Sequence, residues 1–369
     1  MPERADPAQA AGRRGVTIPD KQVPGVYHRR IGDIVVTALS DGYVDASYTV
    51  MRIAPEDAEA ILARHFRPSP PRIAVNAFAV HSGGRLALVE TGSGSSMGPT
   101  LGWLSQNLSL AGIDPAQVDT ILLTHMHPDH SNGLVGDAGE IRFPGAELRV
   151  HEDEVAHWHD DGQMARATER QRVRYFEAAR RQLAPYRARL RTFRQGEVFP
   201  GITAIPIPGH TPGHTAFLIQ SGGERLLIWG DTVHVPEIQV EQPDVTMEFD
   251  TEPKAAAAMR RHVFDLAVSS IDRRDASALP GLWAHGRAGG SLYSRARAVG
   301  LRALNRAPCG PTVGIGRSLL DGIDNIDLIL ARPPPGGSKI CARSSSPRGK
   351  GGRRPIHRGH GRRPRIHDR

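Results

Sequence analysis

Three histidines and an aspartate fall within six residues at Thr124-His125-Met126-His127-Pro128-Asp129-His130. The apolar run Ile121-Leu122-Leu123 leads in and Ser131-Asn132-Gly133 leads out. Imidazole and carboxylate at this density are the donors of a metal site suited to Zn, Fe, Mn or Co. The spacing His-x-His-x-Asp-His fits two ions. After a strand, alternate residues of an extended turn can face the same way, so His125 and His127 can grip one ion. Asp129 and His130, displaced along the turn, can grip a second about 3.5–4 Å from the first. A solvated polar loop that happens to carry histidines is the bland alternative, and four ligand types in six residues weigh against it.

Two further turns carry the same residue types. Pro208-Gly209-His210-Thr211-Pro212-Gly213-His214-Thr215 lies between apolar runs, and Trp229-Gly230-Asp231-Thr232 ends one. Alone, a Gly-Asp turn is usually only a turn. In this order after the first motif, the three together point to one centre. Only two cysteines occur, Cys309 and Cys341. Neither lies in the first 270 residues, so a disulfide framework or thiolate metal site is excluded there.

The elements that must position these groups follow from periodicity. Residues 1–32 are rich in Pro, Arg, Gly and Ala and read as an extended arm, long enough to wrap a partner and so compatible with a homodimer. Ile34–Leu39 reads as a strand ended by Ser40-Asp41-Gly42. Ala54–His65 reads as a helix, with Pro55 and acidic residues in its first turns. Ile73–His81 and Arg85–Glu90 form a hairpin across Ser82-Gly83-Gly84. Leu101, Leu104 and Leu108 recur at helical spacing. Thr120–Thr124, Glu147–His151, Ile202–Ile207, Thr215–Gln220 and Arg225–Trp229 read as strands, and Pro253–Leu266 as a helix. Residues 152–190 form a charged helical insertion, read as partly exposed. The order is that of an α/β fold.

These motifs resemble those of the metallo-β-lactamase superfamily over roughly residues 33–268. Within it, Asn76-Ala77-Phe78, Glu90-Thr91-Gly92 and Ile228-Trp229-Gly230-Asp231-Thr232-Val233-His234 are similar to the branch of quorum-quenching lactonases and methyl-parathion-hydrolase-like enzymes. The resemblance implies an αββα sandwich and two zinc ions. It implies His125, His127 and His210 at the first ion, Asp129 and His130 at the second, and Asp231 bridging both. His214 is then a supporting group, because the family uses the first histidine of that turn, and His234 lines the pocket. Glu90 stands where the family usually has Asp, again in a supporting position. The implied activity is hydrolysis of a lactone, ester or phosphotriester, with Asp129 orienting the attacking water and passing its proton to the leaving group.

The chain departs from this pattern near its end. The family places one more ligand histidine in a segment such as MHLHFPGFGH after the last helix. Here the text reads Asp275-Ala276-Ser277-Ala278-Leu279-Pro280-Gly281-Leu282-Trp283-Ala284-His285, and His285 is the nearest candidate by position alone. Codons for Asp275–Ala284 can be chosen so that reading from the second nucleotide gives MHLHFPGFG. From Ile271 onward there are 20 Lys and Arg, 6 Asp, no Glu and no Phe. We therefore read residues 271–369 as a disordered, out-of-frame basic tail that leaves the sandwich truncated and the second metal site weak. Codons across 260–295 that cannot encode the family segment in the shifted frame would refute this hypothesis.

Removing the tail's net +14 from the chain's +8 leaves residues 1–270 at −6. The acidic domain argues against a nuclease and for a small-molecule substrate. The tail's arginines would hold polyanions without specificity, and it lacks aromatics for base stacking after Tyr293. A catalytically impaired fold remnant with such a tail is the alternative reading. No apolar leader or long apolar run is present, so the expected location is cytoplasmic and no membrane contact is expected.

Overall fold

A computed structural model describes residues 25–270 and 328–331 of the chain. Twelve strands are among the described residues, in two sheets. The first sheet runs in spatial order through β1 (Val26–Ile31), β2 (Ile34–Asp45), β3 (Arg72–Ser82), β4 (Arg85–Val89), β5 (Thr120–Leu122), β6 (Glu147–His151) and β7 (Leu190–Phe193). Pairing is antiparallel from β1 to β4 and parallel from β4 to β7. The second sheet is antiparallel. It holds β8 (Gly196–Phe199), β9 (Ile202–Pro206), β10 (Thr215–Ser221), β11 (Glu224–Ile228) and β12 (Leu328–Ala331), with β12 and β8 at its edges.

The helices are α1 (Pro55–Arg64), α2 (Leu104–Leu110), α3 (Pro128–Ser131), α4 (Glu152–His159), α5 (Asp161–Arg166), α6 (Glu169–Gln171), α7 (Ala178–Leu183), α8 (Pro236–Glu241) and α9 (Pro253–Ser270). A π-helical turn, Arg172–Glu177, joins α6 to α7, and a 3-10 turn, Ala184–Arg189, follows α7.

The layering follows from side-chain alternation. On β3, Phe78 and Val80 face one way while Ala77 and Ala79 face the other; on β4, Ala87 and Val89 oppose Leu86 and Leu88. The first set meets Phe217, Ile219, Leu226 and Ile228 of the second sheet and forms the core between the sheets. The second set packs under α2 and the helices that follow β6, where Leu104, Leu108, Trp158, Phe176 and Leu183 are buried. On the outer face of the second sheet, Ala216, Leu227 and Trp229 meet Val263, Phe264 and Ala267 of α9. Both faces of these strands are buried, which is why they read as nearly continuous apolar runs. The result is the αββα sandwich that the resemblance implied.

Three expectations are corrected. The N-terminal arm does not reach residue 32: Val26–Ile31 is a strand, with Ile31 in the inter-sheet core. β2 does not stop at Ser40; a bulge between Ser40 and Gly42 carries it on to Asp45, paired with β3 throughout. The 152–190 insertion is less exposed than its charge suggests, because most of its few large apolar residues, with Tyr186, turn onto the first sheet, Val173 being the exposed exception. The expected disordered tail lies outside the described residues except at Leu328–Ala331. That apolar run pairs with β11 and gives the edge's backbone groups a partner, so structure does not end at residue 270.

Candidate metal centre

The loops that follow β4, β5 and β11 and the loop that precedes β10 come together at one end of the sandwich. Each strand ends in buried apolar residues, so the polar groups begin where the core stops. Thr124, His125, His127, His130, His210 and His214 are all buried. After His125 and His127 the chain turns into α3, with Pro128 at its first position and His130 N–H and Ser131 N–H both donating to His127 O. A single helical turn, rather than extended chain, thus carries Asp129 and His130 away from the first pair.

The expected ligands form two donor clusters. His125, His127, His210 and Asp231 offer atoms all within 4.8 Å of one another, and so do Asp129, His130 and Asp231. In the first, His127 Nδ1 lies 3.1 Å from His125 Nε2 and 2.9 Å from His210 Nε2, and the latter two are 3.2 Å apart. Three imidazole nitrogens in so tight a triangle repel unless something electrophilic lies between them. Zn–N bonds of about 2.0–2.1 Å in a tetrahedron put nitrogens about 3.3 Å apart, so the triangle fits such an ion. Asp231 spans the clusters: Oδ2 is 3.2 Å from His210 Nε2 and 3.7 Å from His125 Nε2, while Oδ1 is 3.2 Å from His130 Nε2.

Electrostatics sort the imidazoles. Burial, aided by neighbouring histidines, holds His125 and His127 well below the usual range, so both present lone pairs at neutral pH. Burial opposes charging of His130 and His210 too, but nearby carboxylates outweigh it. Asp231, Asp129 and Glu90 push His130 well up, and Asp231 with Asp250 pushes His210 to about 9. Burial raises Asp231, yet the histidines around it win and hold it well below the carboxylate range.

Glu90, His214 and His234 lie beside the two clusters. Glu90 is buried, accepts the Thr124 N–H at 2.9 Å through Oε1 and puts Oε2 3.5 Å from His130 Nδ1. Its φ of 65° is one that side chains rarely adopt. His214 is in neither cluster; its Nε2 accepts the Asp231 N–H at 3.1 Å. Burial keeps His214 neutral and thus able to accept. Gly230, at φ +52°, lets these loops close, because a Cβ there would lie 2.7 Å from His214 Nε2 and 2.9 Å from Thr124 Oγ1. His234 Nε2 is 3.0 Å from Asp231 Oδ2, and its ring lies 5.1 Å from that of Phe249.

Three residues the sequence reading did not single out also belong here. Asp250 accepts from His210 Nδ1 at 2.8 Å, which fixes the tautomer and leaves Nε2 for a metal. Tyr175, in the π-helical turn, packs with its ring centroid 4.9 Å from that of His127, tilted by 43°. Glu154 reaches the loops of His125 and His210 at once. Only Asp250 carries any signal, as an aspartate shortly before the helix-starting Pro253.

A family model described as the metallo-beta-lactamase superfamily matches residues 70–290. Among solved structures, a hydrolase of the beta lactamase superfamily, AbOPH, aligns at 35% identity and TM-score 0.64, covering 68% of this chain and 88% of that one. AidC, a dizinc quorum-quenching lactonase in complex with the product N-hexanoyl-L-homoserine, aligns at 25% identity and TM-score 0.63 over the same shares. A probable metal-dependent hydrolase from Staphylococcus aureus shares the fold at 21% identity and TM-score 0.55, over 66% of this chain and 88% of that one. No curated protein matches the chain. The extent of the family match and the identity to AbOPH establish that this chain belongs to the metallo-beta-lactamase superfamily.

Proposed function

We propose that the protein is a metal-dependent hydrolase of a lactone, ester or phosphotriester, with zinc as the expected metal and Fe, Mn or Co as substitutes. The observation that carries this is the triangle of three imidazole nitrogens closed by the Asp231 carboxylate. His125, His127 and His210 with Asp231 would hold the first ion; Asp129 and His130 with Asp231 would hold the second. Metal bound there supplies Lewis acidity for a carbonyl or phosphoryl oxygen and makes water acidic enough to yield hydroxide near neutral pH.

The chain's own residues do the rest. Asp250 keeps the His210 proton on Nδ1, and Glu90 faces Nδ1 of His130, so both rings present Nε2 inward. His214 holds the Asp231 backbone in place. Asp129 is partly open to solvent, which suits its carboxylate to take the proton of the attacking water and pass it to the departing oxygen. Tyr175 and Phe249 flank the centre with aromatic surface, Phe249 lying 5.8 Å from the His210 ring. That flank suits an acyl chain or aryl leaving group, and the likeness to the lactonase AidC favours a lactone. Among the described residues no helix is long and apolar enough to cross a membrane; a cytoplasmic location belongs to this proposal.

Turnover of acyl-homoserine lactone, aryl ester and aryl phosphotriester substrates should be measured with metal-free and Zn- or Co-loaded protein. Metal-dependent hydrolysis of at least one class, lost in His125→Ala, is the expected result. A folded, metal-loaded protein inert to all three would contradict the reading.

A further inference from the structure

Two loops of the centre come from opposite sheets. The first, carrying His125 and His127, leaves β5; the second, carrying His210, precedes β10. Something must hold them in register, because the nitrogen triangle tolerates little movement. One side chain outside the ligand set touches both.

Glu154 lies in the first turn of α4 and is wholly buried. Its Oε1 accepts the Met126 N–H at 2.8 Å and the Trp158 Nε1–H at 2.6 Å. Its Oε2 accepts the Thr211 hydroxyl at 2.7 Å and the Gly213 N–H at 3.0 Å. Met126 sits between the two histidines of the first loop. Thr211 and Gly213 follow His210 in the second. A carboxylate has about four lone-pair positions, and here each oxygen serves a different loop. The approach is close: a Cβ on Gly213 would lie 2.4 Å from Glu154 N. Trp158, held by the same carboxylate, packs 5.5 Å from the His127 ring.

We infer that Glu154 is a positioning residue that clamps the His125–His127 loop to the His210 loop and thereby sets the geometry of the first metal cluster. The inference rests on the metal-centre reading above. It also gives the 152–190 segment a role beyond covering the first sheet: its first helix supplies the clamp. Glutamine at 154 would keep the shape but turn one acceptor into an N–H donor facing two other donors, so one loop would be released.

The full-length chain and its Glu154→Gln and Thr211→Val variants should be titrated with Co(II) against a competing chelator, recording the d–d absorption. Amide exchange at Met126 and Gly213 is followed in the metal-free proteins. Glu154→Gln is expected to lose about 10–100-fold in cobalt affinity, to shift the d–d band, and to speed exchange in both loops. Thr211→Val should move each readout the same way by less. A general brace would lower melting temperature alone, so a folded Glu154→Gln with cobalt affinity and spectrum within twofold of the parent overturns the inference. If Glu154→Gln does not fold, Thr211→Val decides: unchanged cobalt affinity overturns it. If the parent chain takes up no cobalt, the metal reading fails, and the clamp is judged on exchange; faster exchange in both loops upholds it, and in one loop or neither refutes it.

Discussion

Of the two donor clusters that meet at Asp231, the first is closed and braced on every side and the second is not. His125, His127 and His210 are buried, their nitrogens within 3.2 Å of one another, and Asp250 and Thr124 hold the far nitrogens of His210 and His125. The second cluster has, among the described residues, only Asp129 and His130 besides the shared Asp231. Asp129 is partly exposed, and Glu90 stands 3.5 Å from His130 Nδ1, beyond a good hydrogen bond. Affinity depends on the number of donors and on how firmly their partners hold them. The first cluster should therefore bind metal tightly and the second weakly.

The largest expected effect separates the clusters outright. His210→Ala should leave no tightly held metal and lower turnover by more than about 100-fold, exceeding what loss of a supporting residue costs. His130→Ala should leave one tightly held metal per chain. Elemental analysis after dialysis distinguishes the two, and equal metal loss from both variants would break the comparison. A smaller effect follows at Asp250. Asp250→Asn should weaken the first ion by about 10–100-fold and leave the second little changed, because only His210 loses its orienting acceptor. The smallest concerns Glu90. Glu90→Asp tolerates the left-handed backbone better but withdraws the carboxylate from His130. The second ion should weaken by about tenfold, the low end for such supporting groups, while the melting temperature of metal-free protein holds or rises.

Much of this was legible before any coordinates. The ligand motifs are local: His125 to His130 lie in one turn, and His210 and Asp231 each sit in a Gly-bearing turn after an apolar strand. The buried strands announced themselves through unbroken apolar runs such as Ile121–Leu123. What was not legible is long-range. Glu154 sits among Glu152 and Asp153 at a helix start, where acidic residues are ordinary, and only the fold brings it to Met126 and Gly213. Asp250 lies 40 residues from His210 in sequence. The insertion looked exposed because its charges outnumber its apolar residues, yet most of those few residues face the sheet. β1 was hidden because His28, Arg29 and Arg30 are polar residues of an edge strand that covers little core.

The central claim is that one cluster holds metal far more firmly than the other. Titrating metal-free, full-length protein with Zn(II) against a chromophoric chelator tests it directly. The account predicts two separate steps, the first at least about tenfold tighter than the second, with one zinc per chain surviving dialysis. Two zinc ions bound with equal, high affinity would contradict it.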